Sequence, residues 1–199
     1  LYALRGNYDR ALPYFEECLK RNPRSASAHN AIGAICLNRD DLACAEKHLE
    51  AALAINPTLL DLRYNLAQLR EKQNRLEEAI ELYQQEIADS PSHFKALFNL
   101  ARLYRLQHRE EEELETLLKA LKAEPSFPLT YFYLARIYLR QGRNFNEAIE
   151  LVKKGLDLKP DKENLPLGYF LLADLYNRLG DYDRSEEYAR QGQALLKSR

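Results

Sequence analysis

Apolar residues recur along this chain at the three- and four-residue spacing that buries one face of a helix. In LFNLARLYR, residues 97–105, Leu97, Leu100, Ala101 and Tyr104 fall on one stripe at i, i+3, i+4 and i+7, enough to dock the helix on a core. About 100° round the same helix runs a second stripe of Lys95, Phe98, Arg102 and Arg105. Docking needs one stripe, so the second, aromatic and basic, asks for a purpose of its own.

Prolines divide the pattern into equal lengths. Pro23, Pro57, Pro91 and Pro125 follow one another at intervals of 34, and Pro160 comes 35 later. Each closes a helical run, as in AALAINP, EIADSP, ALKAEP and LDLKP, because Pro lacks the amide proton and drives its predecessor out of the helical region. Between consecutive prolines lie two helical patterns and one turn. The turn position holds Gly6, Asp40, Asn74, His108, Gly142 and Gly180, types found where φ becomes positive. The pattern predicts an all-α chain of antiparallel helical hairpins repeated at a fixed period.

Those hairpins resemble the tetratricopeptide repeat (TPR) family. Its signature positions match Ile32, Gly33, Cys36, Ala45, Leu49, Ala52 and Pro57 in one period and Leu66, Ala67, Ala79, Tyr83 and Pro91 in the next. Later periods supply Leu100, Ala101, Tyr104, Leu117, Ala120 and Pro125, then Leu134, Ala135, Tyr138, Gly142, Ala148 and Pro160, then Leu172, Ala173, Tyr176 and Gly180. The resemblance spans the chain as a partial repeat, 1–23, and repeats 26–59, 60–93, 94–127, 128–162 and 166–199. It implies one right-handed superhelical solenoid, in which small residues such as Gly33 and Ala101 let the two helices of a hairpin approach and stacking buries what one hairpin cannot. Leu1 and Tyr2 read as the end of a first helix that has been cut away, leaving an end open to self-association.

Three departures carry expectations. Glu113 stands where a small residue belongs, and the surrounding EEEELE predicts a loosened, solvated bend. One extra residue in GRNFNEA, and about three in KPDKENLPLG, predict altered loops at the last two junctions.

Composition narrows the function without naming it. With 46% hydrophobic and 30% charged residues the chain reads as an ordinary globular protein, and a net charge of −1 gives no overall pull toward nucleic acid or an anionic membrane. No run reaches the roughly 18 apolar residues of a membrane span. The odd set Cys18, Cys36 and Cys44, with no CxxC, favours reduced thiols and a cytoplasmic setting. Cys44 and His48 share a helical face at i, i+4, a spacing metals use, but buried packing is the favoured reading. No nucleophile elbow, HExxH, phosphate loop or paired-carboxylate motif is present, so neither catalysis nor a cofactor is expected.

The resemblance places the second stripe. In TPR proteins the first helix of each hairpin lines the concave side, and residues one past the packing stripe face the groove. The implied groove residues are Tyr64, Asn65, Lys95, Phe98, Asn99, Arg102, Arg105, Phe132, Arg136, Arg140, Phe170 and Arg178. Phe98, Phe132 and Phe170 equally suit packing between hairpins, but packing alone needs no cations. Arginine stacks on aromatics and grips carboxylates, so the set suits an acidic or aromatic extended peptide. Asn65 and Asn99 resemble the asparagines with which some TPR proteins hold a peptide backbone. The carboxylate clamp of chaperone-binding TPR domains is matched only at Asn65 and Lys95, with Asn30, Ala34 and Asn99 at its other positions. The expectation is a non-catalytic protein-interaction module, with an accessory domain of a larger enzyme or a self-assembling scaffold as alternatives.

Overall fold

The computed structural model describes residues 8–197. Among them the chain forms eleven α-helices and no strand: α1 (Tyr8–Arg21), α2 (Ala26–Asn38), α3 (Leu42–Ile55), α4 (Leu62–Lys72), α5 (Leu76–Asp89), α6 (Phe94–Leu106), α7 (Glu110–Ala123), α8 (Pro128–Gln141), α9 (Phe145–Asp157), α10 (Leu165–Arg178) and α11 (Tyr182–Lys197). Pro23, Pro57, Pro91 and Pro125 each stand two residues past a helix end, and Pro160 three past Asp157. The hairpin turns have φ of 60° at Asp40, 60° at Asn74, 59° at His108, 65° at Gly142 and 77° at Gly180. Helix starts are capped locally: Ser25 Oγ accepts from the Ala28 amide at 3.3 Å and an Asp41 carboxylate oxygen from that of Cys44 at 3.0 Å. The two lengthened junctions take up their extra residues with positive φ at Asn144 and Lys159. The expected turn at Gly6 and the helix stub at Leu1 to Leu4 lie outside the described residues.

The chain divides into two compact units, Leu1–Pro91 and Ser92–Arg199. In the first, α2 packs on α3 and α4 on α5 around Ile32, Leu49, Leu62, Leu66 and Leu69. Gly33 is small for a visible reason, since a Cβ there would stand 2.6 Å from Leu49 Cδ2. The second unit is built from the hairpins α6/α7, α8/α9 and α10/α11. One of its clusters gathers Ala101, Leu117, Leu134 and Ile137, another Phe132, Val152, Leu172 and Leu175.

Two expectations are overturned within these units. Helix α7 runs unbroken through EEEELE, and Glu113, 1% exposed, accepts a 2.6 Å hydrogen bond from Arg140 Nη2 of α8. Acidic residues suit the first turn of a helix, where its dipole is positive, and Arg140 neutralises the one that is buried. The solvated bend is therefore absent. Cys36 and Cys44 are joined in a disulfide across the α2/α3 turn, with Cα atoms 5.8 Å apart, which overturns the reading of reduced thiols; Cys18 alone is free, and it is exposed. The bond also removes Cys44 as a ligand partner for His48, whose ring turns to His29 instead. Among the described residues no helix is long and apolar enough to cross a membrane.

Candidate functional site

The second stripe of α6 meets α8 at Tyr133. Phe98 stacks on the Tyr133 ring, centroids 5.4 Å apart and planes 15° from parallel, while Phe127 meets Phe98 edge-on at 5.1 Å and Phe94 lies 5.8 Å from it. Over the Tyr133 ring sit two guanidinium groups, Arg105 of α6 at 5.3 Å and Arg136 of α8 at 4.5 Å. Helical spacing explains the convergence, since Phe98 and Arg105 lie two turns apart on α6 and Tyr133 and Arg136 one turn apart on α8.

These two cations are poorly compensated. Arg105 Nε and Arg136 Nε and Nη2 are buried and have no hydrogen-bond acceptor among the described residues. Burial, and then the like charge of Arg105, holds the Arg136 guanidinium below the ordinary arginine value; Glu113 acts in the opposite sense but is already bonded to Arg140. A buried donor left without an acceptor costs free energy, about 1–3 kcal/mol for each group. An acidic group brought to this face would remove that cost and neutralise the repulsion.

The remaining groove candidates divide sharply. Lys95 is exposed, and Asn99 and Arg102 are half-buried on the same helix as Phe98. Arg178 is exposed on α10. Arg140 is committed to Glu113 at 2.6 Å and Glu110 at 3.1 Å, so it belongs to the ion pairs that join α8 to α7 of the preceding hairpin rather than to an open face. Phe132 is 0% exposed and is a core residue, which corrects its place at the centre of the expected patch. Its ring fills a notch that two glycines leave: a Cβ on Gly155 would stand 2.6 Å from Phe132 Cε1, and one on Gly168 2.8 Å from Cζ. Half-buried Phe170 fills the equivalent notch at Gly192, where a Cβ would lie 2.9 Å from Phe170 Cε1.

In the first unit Asn65, 8% exposed, donates from Nδ2 to Asn30 Oδ1 at 2.9 Å and so ties α4 to α2. Tyr64 leans on Tyr83 of its own hairpin, ring centroids 5.9 Å apart. Tyr133 is the residue the expected groove missed. It stands one position past the register that selected Phe132, and the helical glycines Gly155 and Gly168 were the signal that the large ring at 132 would be taken inward.

Models of the tetratricopeptide repeat match residues 2–59 and 64–128, with further models of that repeat at 37–85, 116–150 and 168–195. No curated protein matches the chain. Among solved structures it is similar to PilW, described as a widely conserved type IV pilus biogenesis factor, at 23% identity and a TM-score of 0.78, over 100% of this chain and 90% of that one. It is similar to PilF of Pseudomonas aeruginosa at 20% identity and a TM-score of 0.85, over 100% and 88%. Residues 41 to the end of MamA from Desulfovibrio magneticus give 19% identity and a TM-score of 0.74, over 87% and 96%. At these identities the likeness is one of fold, that of a helical-repeat solenoid.

Proposed function

This chain belongs to the tetratricopeptide repeat family and is a protein-interaction repeat module, and we propose that its second unit takes an extended, acidic peptide segment on the face shared by α6 and α8. The observation that carries this reading is the pair Arg105 and Arg136, stacked on one tyrosine with three buried guanidinium nitrogens that find no acceptor among the described residues. An Asp or Glu carboxylate supplies both the missing acceptors and the missing charge. Phe94, Phe98 and Phe127 beside them offer contact to an apolar or aromatic neighbour of that acid. Lys95, Asn99 and Arg102 continue the face along α6, and Arg178 adds a cation on α10. No catalytic step is assigned to any of these groups.

The test is a panel of extended peptides carrying Glu or Asp beside an aromatic residue, each paired with its Gln or Asn counterpart. The acidic members bind, and the amide counterparts bind about ten- to a hundredfold more weakly, the equivalent of one charge-assisted hydrogen bond of roughly 1.5–3 kcal/mol. Equal binding by the amides refutes the reading.

A narrower reading assigns the chain, like PilW, to type IV pilus biogenesis. It is favoured by a match that runs along the whole chain and 90% of PilW rather than along a few repeats. The Cys36–Cys44 disulfide agrees with an oxidising compartment. Loss of pili on deletion of the gene tests it, and unaltered pili contradict it.

A further inference from the structure

We propose that the Cys36–Cys44 disulfide of the first unit is a thiol–disulfide exchange site, opened to a partner dithiol by the cleft beside it and attacked at Cys44. The bridge joins α2 to α3 across their turn. Both of its cysteines line a cleft of about 400 Å³ between α1, α2 and α3, together with the apolar side chains of Leu12, Leu19 and Ile32. A bridge sealed in a core meets a thiol only when the chain unfolds, because exchange requires the attacking sulfur to reach it. This one stands on the wall of an opening.

The repeat explains why the cleft is open. One period of 34 residues on from Cys36 and Cys44 stand Arg70 and Glu78, and the groove between α3, α4 and α5 has Glu50, Leu53 and Leu66 where the first has Glu16, Leu19 and Ile32. Arg70 fills that second groove, donating to Glu46 at 2.8 Å and to Glu50 at 2.6 Å on α3, with Glu78 of α5 3.8 Å from its Nε. About 190 Å³ is left free there. A disulfide at the same two positions ties its own hairpin but has no arm that crosses to α1, so the first groove stays open with the sulfurs along it.

Exposure selects the sulfur. Cys44 is half-buried and Cys36 only 5% exposed, so an incoming thiolate meets Cys44 Sγ first. It bonds to that atom, the Cys36–Cys44 bond breaks, and the electron pair leaves on Cys36 Sγ, which takes a proton from water. The partner's second thiolate then attacks the partner's own sulfur in the mixed disulfide and releases Cys44 as the second thiol. The dithiol ends oxidised and the cysteine pair reduced, and the two protons lost by the one balance the two gained by the other. Lys20 and Arg39 on the cleft wall are matched by Glu16 and Asp41, so access rather than charge governs the reaction. Reduction frees the α2/α3 hairpin from its covalent tie, whereas the α4/α5 hairpin, with ion pairs at the same positions, does not respond.

The test uses the unaltered full chain, oxidised in air, with the exposed thiol of Cys18 alkylated beforehand. Dithiothreitol is added to the folded chain, and the thiols released are trapped and mapped by mass spectrometry. Cys36 and Cys44 are expected to be reduced at a rate within about tenfold of that in the urea-unfolded chain, and low, non-denaturing urea leaves that rate unchanged. Glutathione, a monothiol, offered to the same chain and quenched early in acid, is expected on Cys44 in about tenfold excess over Cys36. A chain with no Cys36–Cys44 bridge, or a bridge reduced only as fast as the chain unfolds and ever faster in low urea, overturns the exchange site. Glutathione found equally or mainly on Cys36 overturns attack at Cys44.

Discussion

Arg140 Nη2 donates to Glu113 Oε2 at 2.6 Å, and this one bond joins α8 to α7 while removing both residues from the roles their sequence positions suggested. The Glu113 side chain is 2% exposed and that of Arg140 36%, so the two ends of the pair do not lose equally when cut. Arg140→Ala leaves a carboxylate buried with no cation and is expected to destabilise by about 3 kcal/mol. Glu113→Ala removes the buried charge itself, leaves Arg140 its contact with Glu110, and recovers some helix propensity, for a loss of about 1–2 kcal/mol. Urea unfolding of both variants checks the order, and a stabilised Glu113→Ala would contradict it.

Phe132 and Gly155 form a single packing device. Phe132→Ala empties a fully buried ring site and is expected to cost about 3–5 kcal/mol. Gly155→Ala thrusts a Cβ to 2.6 Å from the Phe132 ring and is expected to cost about 1–3 kcal/mol by overpacking. Thermal melts of Gly155→Ala, Phe132→Leu and the double variant check the coupling. In Gly155→Ala/Phe132→Leu the smaller side chain relieves the clash, so its loss falls below the sum of the single losses.

In the proposed reading, Tyr133 acts on a ligand through the arginines it carries. Tyr133→Leu keeps the bulk under Phe98 but removes the π-face beneath Arg105 and Arg136. Each cation–π contact contributes about 0.5–1 kcal/mol and restrains its guanidinium, so affinity for an acidic peptide falls several-fold. The number of charges is unaltered, so the salt dependence stays the same. Titrations at several ionic strengths separate the two effects, and a changed salt slope would show that the substituted leucine had displaced a cation.

The hairpin periodicity was legible in the prolines and in the positive-φ turn residues because both act locally. Pro57 stops α3 and Asn74 turns the chain whatever lies around them. The candidate face was legible as a set of residue types but not in register. Phe98, Arg105 and Arg136 all lie against the ring of Tyr133, which the expected set did not contain, and Phe132 goes to the core because Gly155 and Gly168, on two other helices, leave room for its ring. Glu113 and Cys36 were misread for the same reason. Their partners Arg140 and Cys44 lie across a helix–helix contact or a turn, where the periodicity of one helix says nothing.

The most direct test of the acidic-ligand face is the double variant Arg105→Gln/Arg136→Gln, measured by peptide titration and thermal melt on the same sample. Both arginines carry buried donors without acceptors, and they repel one another. Removing them is expected to leave stability unchanged to within about 0.5 kcal/mol or to raise it. Affinity for an acidic peptide, in contrast, falls at least tenfold and loses most of its salt dependence. Unchanged affinity, or a melt that collapses with it, would contradict the account and return these residues to a structural role.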